Sequence, residues 1–146
     1  MSKNMETISA LEAQKMCQHE PSTLLIDVRS SMEFLFVGHP TGAVHIPWID
    51  EPDWVVNTNF VTDVRKLALG GLGPGGASGE EASDDVPIVL ICRSGNRSAV
   101  ACKALVDAGL QNVYNIEEGF EGSLDENHHR STVGGWRFHG LPWEQC

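Results

Sequence analysis

No apolar run in the 146-residue sequence approaches the ~20 residues that a membrane-spanning helix needs. The first residues, 1–6, also lack the apolar stretch typical of a signal peptide, so we expect a cytoplasmic protein. The four cysteines are scattered and form no C-x-x-C pair. This pattern indicates neither a disulfide framework nor a zinc site, and we expect reduced thiols and no bound metal.

Basic residues are scarce: ten Lys and Arg face 20 Asp and Glu, for a formal net charge of -10. Nucleic acids and anionic membranes bind through basic surfaces, so we expect neither as a partner. The length fits one domain with a sizeable core, and we predict a single domain over residues 1–146.

A strand, a polar loop and a helix are predicted around Cys92. The apolar run 88–91 is typical of a buried parallel strand, and the alanine-rich stretch 99–108 is typical of a helix. Open α/β sheets bind ligands at the carboxyl ends of strands, where Cys92 falls. The loop 93–97 contains two arginines and no proline, so free amides, guanidiniums and a helix N-terminus favour the nucleophilic thiolate. We predict Cys92 as the catalytic residue.

The rest of the chain alternates strands and helices. Ser9 and Glu12 form a capping-box pattern that predicts a helix over 10–17. Further predicted elements are strands at 23–26, 43–46 and 112–116 and a helix over 53–69. This order predicts an α/β fold with a mostly parallel sheet of about five strands and helices on both faces. The glycine- and acid-rich segment 70–85 is predicted to be a mobile surface insertion.

Several motifs, taken in order, resemble those of the rhodanese family of sulfurtransferases. They are Asp27-Val28-Arg29 with Glu33-Phe34, then Gly38-His39 with 42–47, the loop 92–98, and Trp136 with 140–142. The resemblance implies the family's three-layer rhodanese-like domain. Two departures, the insertion at 70–85 and a long stretch between Gly119 and Trp136, leave the loop intact. We expect them to bear on the partner or substrate rather than on the chemistry.

The resemblance also implies a two-step transfer of sulfane sulfur without a metal or organic cofactor. Cys92 would take sulfur from a small sulfur-containing anion such as thiosulfate and hold it as a persulfide. The sulfur would then pass to a thiophilic acceptor, either cyanide, a thiol or a protein. Arg93 and Arg97 would hold the oxygens of the departing sulfite.

The candidate site residues fall into two groups. We expect the loop to bind the substrate through Arg93, Ser94, Gly95, Asn96, Arg97 and Ser98. Asp27, Arg29 and Glu33 are expected to support the loop from behind. The first two would do so by hydrogen bonds to it, and Glu33 as the partner of an arginine, with a role in proton transfer as the alternative. Asn96 or Ser98 is predicted to cap the following helix. Phe34, Trp48 and Trp54 are expected in the core, with a pocket wall as the alternative.

Three other functions remain open at this point. One is a sulfur-carrier or redox-sensing module that hands a Cys92 persulfide to a protein partner, docking through 70–85 and 122–135. The others are a cysteine-dependent phosphatase and an arsenate reductase. Such phosphatases place five residues between cysteine and arginine, whereas Arg97 follows Cys92 after four, a smaller ring that suits one sulfur atom better. A resolving role for Cys102 and a metal site at His128-His129 are both disfavoured.

Overall fold

A computed structural model of the chain describes residues 5–69 and 86–145. The predicted mobile insertion at 70–85 therefore lies outside the described residues. The strands are β1 (Glu6–Ile8), β2 (Leu24–Asp27), β3 (His39–Pro40), β4 (Val44–His45), β5 (Ile49–Asp50), β6 (Val55–Val56), β7 (Ile88–Ile91), β8 (Val113–Ile116) and β9 (Trp143–Glu144). The helices are α1 (Ala10–His19), α2 (Phe60–Ala68) and α3 (Asn96–Asp107), with a π-helical segment at Glu33–Val37.

The central sheet has the order β1-β8-β7-β2-β4, and its four strand pairings are all parallel. This confirms the predicted α/β fold with a five-stranded parallel sheet. Strand β7 lies at the centre, and its pairing with β2 sets Ile91 opposite Asp27. The residue that follows Ile91, Cys92, therefore emerges at the middle of the sheet's carboxyl edge.

The two faces of the sheet pack against different helices. Ile88 and Leu90 lie in one buried cluster with side chains of α2 and α3. Val89 and Ile91 lie in the other, with α1 and the C-terminal segment around Trp136. Successive strand residues alternate between faces, so an uninterrupted apolar run is what a strand covered on both sides requires. Helices on both faces are thus confirmed.

The capping box at the start of α1 forms as predicted. The Ser9 hydroxyl accepts the Glu12 N–H at 3.1 Å, and the Glu12 carboxylate accepts the Ser9 N–H at 3.0 Å. The helix continues to His19, two residues beyond the predicted end, and Glu20 caps it immediately before Pro21. Proline disfavours helical backbone in the preceding residue, which explains the later end.

The predicted helix over 53–69 is wrong in its first half. Val55–Val56 forms β6, antiparallel to β5, and α2 begins only at Phe60. The Asn57 side chain explains the break, because it donates to the Pro47 carbonyl at 3.0 Å and accepts the Asn59 N–H at 2.9 Å. Such local side-chain bonds compete with helical ones.

Two of the three aromatic residues expected in the core lie at its edge, and the third lies outside it. Phe34 and Trp48 are half-buried, and the Trp48 ring packs edge-on against Phe60 at 5.2 Å. Trp54 is 57% exposed because it lies on the turn that joins β5 to β6. Within residues 5–69 and 86–145, no helix has the length and apolar character needed to cross a membrane.

Candidate active site

The Cys92 sulfur lies beneath the first turn of α3, within hydrogen-bond distance of two donor groups. The Gly95 N–H donates to Sγ at 3.1 Å, and the Ser98 hydroxyl lies 3.2 Å from it. The residue itself is only 1% exposed. Two donors converging on one buried sulfur stabilise negative charge there, whether on a thiolate or on a group transferred to it.

Gly95 gives the loop its shape. Its φ of 102° is left-handed, and it directly precedes α3, which starts at Asn96 and not at the predicted 99. The prediction of Asn96 or Ser98 as the helix cap is therefore wrong. A Cβ on Gly95 would lie 2.1 Å from the Glu117 carbonyl oxygen, so both its backbone angle and its surroundings require glycine. This geometry turns the Gly95 N–H toward the sulfur.

Asn115 of β8 is a site residue that the sequence analysis missed. Its Oδ1 contacts the Ser98 hydroxyl, and its Nδ2 donates to the Gly95 carbonyl at 3.2 Å. Asn115 is 4% exposed. The one available signal was a carboxamide inside a predicted strand, since such a group needs hydrogen-bond partners if the strand is buried.

Glu33 and Arg97 form a two-pronged ion pair. Arg97 donates to the two Glu33 oxygens at 2.7 and 2.9 Å. Burial alone would raise the pKa of Glu33, but the hydrogen bonds and charge of Arg97 outweigh it and lower the pKa to about 2. Glu33 thus has the arginine partner expected for it. The Arg97 guanidinium is turned toward Glu33, and its contact with a donor anion stays a prediction.

The other polar residues of the loop are more open. Arg93 and Asn96 are exposed, and Ser94 is half-buried. Within the described part of the chain, the side chains of these three residues form no hydrogen bond or ion pair. The backbone of Arg93 is fixed, because its carbonyl accepts the N–H groups of Glu121 and Gly122 at 2.9 and 3.1 Å. The loop therefore presents the exposed Arg93 guanidinium on a backbone that hydrogen bonds hold in place.

Asp27 and Arg29 do not form the expected hydrogen bonds to the Cys92 loop. Both are fully buried and pair with each other, with Arg29 Nη2 2.6 Å from Asp27 Oδ2 and also donating to the Gly38 carbonyl. Alternation along β2 explains the correction, because Ile26 packs in the cluster that contains Cys92, whereas residues 27 and 29 follow the opposite face. Their support is indirect.

That indirect support runs through Phe120. The Arg29 guanidinium lies over the Phe120 ring, 4.5 Å from its centroid. The Phe120 N–H in turn donates to the Cys92 carbonyl at 2.8 Å. The buried ion pair thus packs against the residue that holds the end of β7, and it does so without touching the loop.

Cys17 and Cys102, the other two thiols in the described part of the chain, are less suited to nucleophilic chemistry. Burial raises the pKa of Cys17 and Cys102, and the Cys102 sulfur lies 3.4 Å from the Tyr114 carbonyl. His128 and His129 are exposed on a turn. No group of three His, Cys, Asp or Glu side chains that could hold a metal ion occurs among the residues that the structure describes.

The protein is an α/β domain of the cysteine-loop class. Its cysteine lies at the carboxyl edge of the central parallel strand, beneath the start of the next helix. The family model that matches the chain is the rhodanese-like domain, over residues 9–126. The protein belongs to this family.

Similar proteins include one solved structure of equal extent. Rv0390 from M. tuberculosis is 34% identical, with a TM-score of 0.79 over 99% of this chain and 100% of that one. The uncharacterized protein RP600 of Rickettsia prowazekii is 27% identical over 146 residues, covering 96% of this chain and 98% of that protein. The thiosulfate sulfurtransferase GlpE of Pseudomonas fluorescens is 28% identical over 102 residues, covering 70% and 71%.

Proposed function

We propose that this protein is a sulfurtransferase that carries sulfane sulfur as a persulfide on Cys92. The observation that carries the proposal is the placement of two donor groups, the Gly95 N–H and the Ser98 hydroxyl, at 3.1 and 3.2 Å from the Cys92 sulfur. Membership of the rhodanese-like family and distant relatives named thiosulfate sulfurtransferase support it. No cofactor is needed, because the transferred sulfur is held covalently.

In the first step, the Cys92 thiolate attacks the outer sulfur of a donor such as thiosulfate. A bond forms between the two sulfurs, the bond inside the donor breaks, and its electron pair leaves with sulfite. Arg93 is the cation we assign to the sulfonate oxygens, since it is exposed on the loop. Arg97 holds the loop to Glu33 instead.

In the second step, cyanide or a thiolate attacks the outer sulfur of the persulfide. The bond to Cys92 breaks and its electron pair returns to the Cys92 sulfur, which again becomes a thiolate. The donors at Gly95 and Ser98 stabilise negative charge on this sulfur before the first step and after the second. The Gly95 N–H is held in position by the loop backbone before the reaction, so this donor needs little reorganisation.

Mass spectrometry of the intact protein and of its digest tests the persulfide intermediate directly. Incubation with thiosulfate and no acceptor should add the mass of one sulfur atom to the protein, and the digest should place that mass on the peptide that contains Cys92. Cyanide should then remove that mass and produce thiocyanate. Cys92→Ser should neither gain the mass nor release sulfite, because an alcohol oxygen replaces the soft nucleophile. Substantial sulfur transfer by folded Cys92→Ser protein would refute the proposal.

Substitution of Arg93 tests the donor site. Arg93→Ala should raise the KM for thiosulfate about tenfold or more, as expected for a charge-assisted hydrogen bond. Turnover from the preformed persulfide should fall much less, because the sulfonate has already left. Arg65→Ala is the matched control, since Arg65 is an exposed arginine that donates to the carbonyl of Ala108, the residue just after α3. An equal KM for both variants would contradict the assignment.

The same preparations separate the proposal from its rivals. A phosphatase would hydrolyse an aryl phosphate in a Cys92-dependent reaction and release no sulfite from thiosulfate. A carrier module would form a stable persulfide yet turn over slowly with cyanide and with every small thiol. Either result would replace the sulfurtransferase assignment. The position of Arg97, paired with Glu33, supports the sulfurtransferase over a phosphate-binding loop.

A further inference from the structure

Two acceptors at the active site face one proton. The Ser98 hydroxyl lies within hydrogen-bond distance of both the Cys92 sulfur and the Asn115 Oδ1. A hydroxyl has a single proton to donate. The orientation of the Asn115 amide is fixed, because its Nδ2 must donate to the Gly95 carbonyl. Its Oδ1 is therefore an acceptor only, and it competes with the sulfur for the Ser98 proton.

The charge on the Cys92 sulfur decides this competition. A neutral thiol can donate its own proton to the Ser98 oxygen, and Ser98 then donates to Asn115. A thiolate can only accept, so the Ser98 proton must turn toward it and the buried Asn115 Oδ1 loses this donor. In a persulfide the charge moves to the outer sulfur, and the Ser98 proton can return to Asn115.

We propose that Asn115 is a positioning residue that turns the Ser98 hydroxyl according to the charge on the Cys92 sulfur, and so holds back formation of the free thiolate. Its role in turnover rests on the proposed sulfur transfer. The competition for the proton requires only Cys92, Ser98 and Asn115. Loading with sulfur relieves the competition, so Asn115 favours the persulfide over the unloaded thiolate.

Other ionisable groups lie on the elements around this sulfur and must be the same in every variant compared. These groups are Asp27 at the end of β2 and Arg29 just after it, Glu33 of the π-helical segment, Arg93 of the loop, Arg97 and Cys102 of α3, and Glu117 and Glu118 after β8. Substitutions restricted to Ser98 and Asn115 leave all of them in place. Differences between such variants therefore report the hydrogen bonds alone.

The test is the alkylation rate of Cys92 as a function of pH, resolved from the other thiols by peptide mass spectrometry. Asn115→Ala should lower the midpoint of the pH–rate profile by about one unit, a tenfold higher thiolate fraction below the midpoint. Ser98→Ala should raise the midpoint, because the thiolate loses a donor. In the Ser98→Ala background, Asn115→Ala should have no further effect, since there is no proton left to direct.

If Asn115 had only a structural role, the effect of Asn115→Ala on the midpoint would not depend on the presence of the Ser98 hydroxyl. Tyr114→Phe is the matched control on the same strand and should leave the midpoint unchanged. If Asn115→Ala does not fold, as judged by urea denaturation, Asn115→Val also removes the acceptor while retaining a residue that favours strands.

Three outcomes would overturn the proposal: an unchanged midpoint in the Asn115 variants, an equal shift with and without Ser98, or no effect of Ser98→Ala. Because the assay contains no sulfur donor, its result is independent of whether thiosulfate is a substrate. If the midpoint shifts of the Ser98 and Asn115 variants are coupled but thiosulfate forms no persulfide on Cys92, the proposed function is rejected and the competition for the Ser98 proton still holds.

Discussion

Glu33→Gln removes the carboxylate that binds Arg97 while nearly preserving the size of the side chain. An amide can accept one hydrogen bond from the guanidinium, but it carries no charge, and its NH2 group would face the other arginine N–H. The two side chains are only 21% and 28% exposed, so water replaces the lost partner incompletely. We therefore expect the variant to be less stable than the wild type.

The magnitude follows from the ionisation of Glu33. Its pKa falls from 4.5 to about 2, which corresponds to a ceiling of about 3 kcal/mol of stabilisation at neutral pH. Part of that is lost to solvent screening and to the remaining amide bond, so we expect the free energy of unfolding to fall by about 2 kcal/mol. For a domain of this size that lowers the Tm by roughly 4–8 °C.

The effect should depend on pH in one direction. The folded-state pKa of Glu33 is depressed, so its contribution is fully present above the unfolded value of 4.5 and is lost as the pH falls toward 2. Urea unfolding of both proteins at pH 7, 5 and 3 should therefore show a difference that shrinks at the lowest pH. Glu12→Gln, which alters an exposed carboxylate of the capping box, is the control. A Glu33→Gln difference that is absent at pH 7, or constant with pH, would refute the reasoning.

Two further predictions concern the loop and its thiol. Gly95→Ala should lower the free energy of unfolding by about 2 kcal/mol and slow Cys92 alkylation, because the new Cβ would meet the Glu117 carbonyl and displace the loop. Urea unfolding and alkylation of the same preparation test this prediction, and alkylation of Cys92 at the wild-type rate would contradict it. Near neutral pH, iodoacetamide should modify Cys92 before Cys17 and Cys102, whose pKa values burial raises, and equal labelling in the native protein would count against the site.

The central fold was predictable because its signals are local and periodic. Apolar runs, the capping box at Ser9 and turn glycines each report on a few neighbouring residues, and together they gave the alternating order of elements. The hairpin of β5 and β6 was not predictable in this way. Two-residue strands show no period, and Val56 happens to precede Phe60 and Val64 at helical spacing although only the last two face the core.

The same distinction between local and long-range signals separates the site residues that were predicted from those that were missed. Cys92 and its loop were predicted because strand, loop and helix are contiguous in sequence. Asn115 was missed because it reaches Ser98 across 17 residues of chain, and only the pairing of β7 with β8 brings them together. The partner of Arg97 lies 64 residues away. The sequence predicted an arginine partner for Glu33 without saying which one, and only the fold shows that it is Arg97.

The hydrogen bonds that the Cys92 and Arg93 carbonyls accept explain why the Gly95 N–H is free to bind the Cys92 sulfur. Backbone carbonyls buried near the end of β7 need donors. The segment after β8 supplies them, since Phe120 donates to the Cys92 carbonyl and Glu121 and Gly122 donate to that of Arg93. Gly119 permits this close approach, because a Cβ there would lie 2.5 Å from the Arg93 carbonyl. With its carbonyls satisfied from outside, the loop keeps the Gly95 N–H for the Cys92 sulfur, so the reactivity of the thiol depends on residues more than 20 positions away.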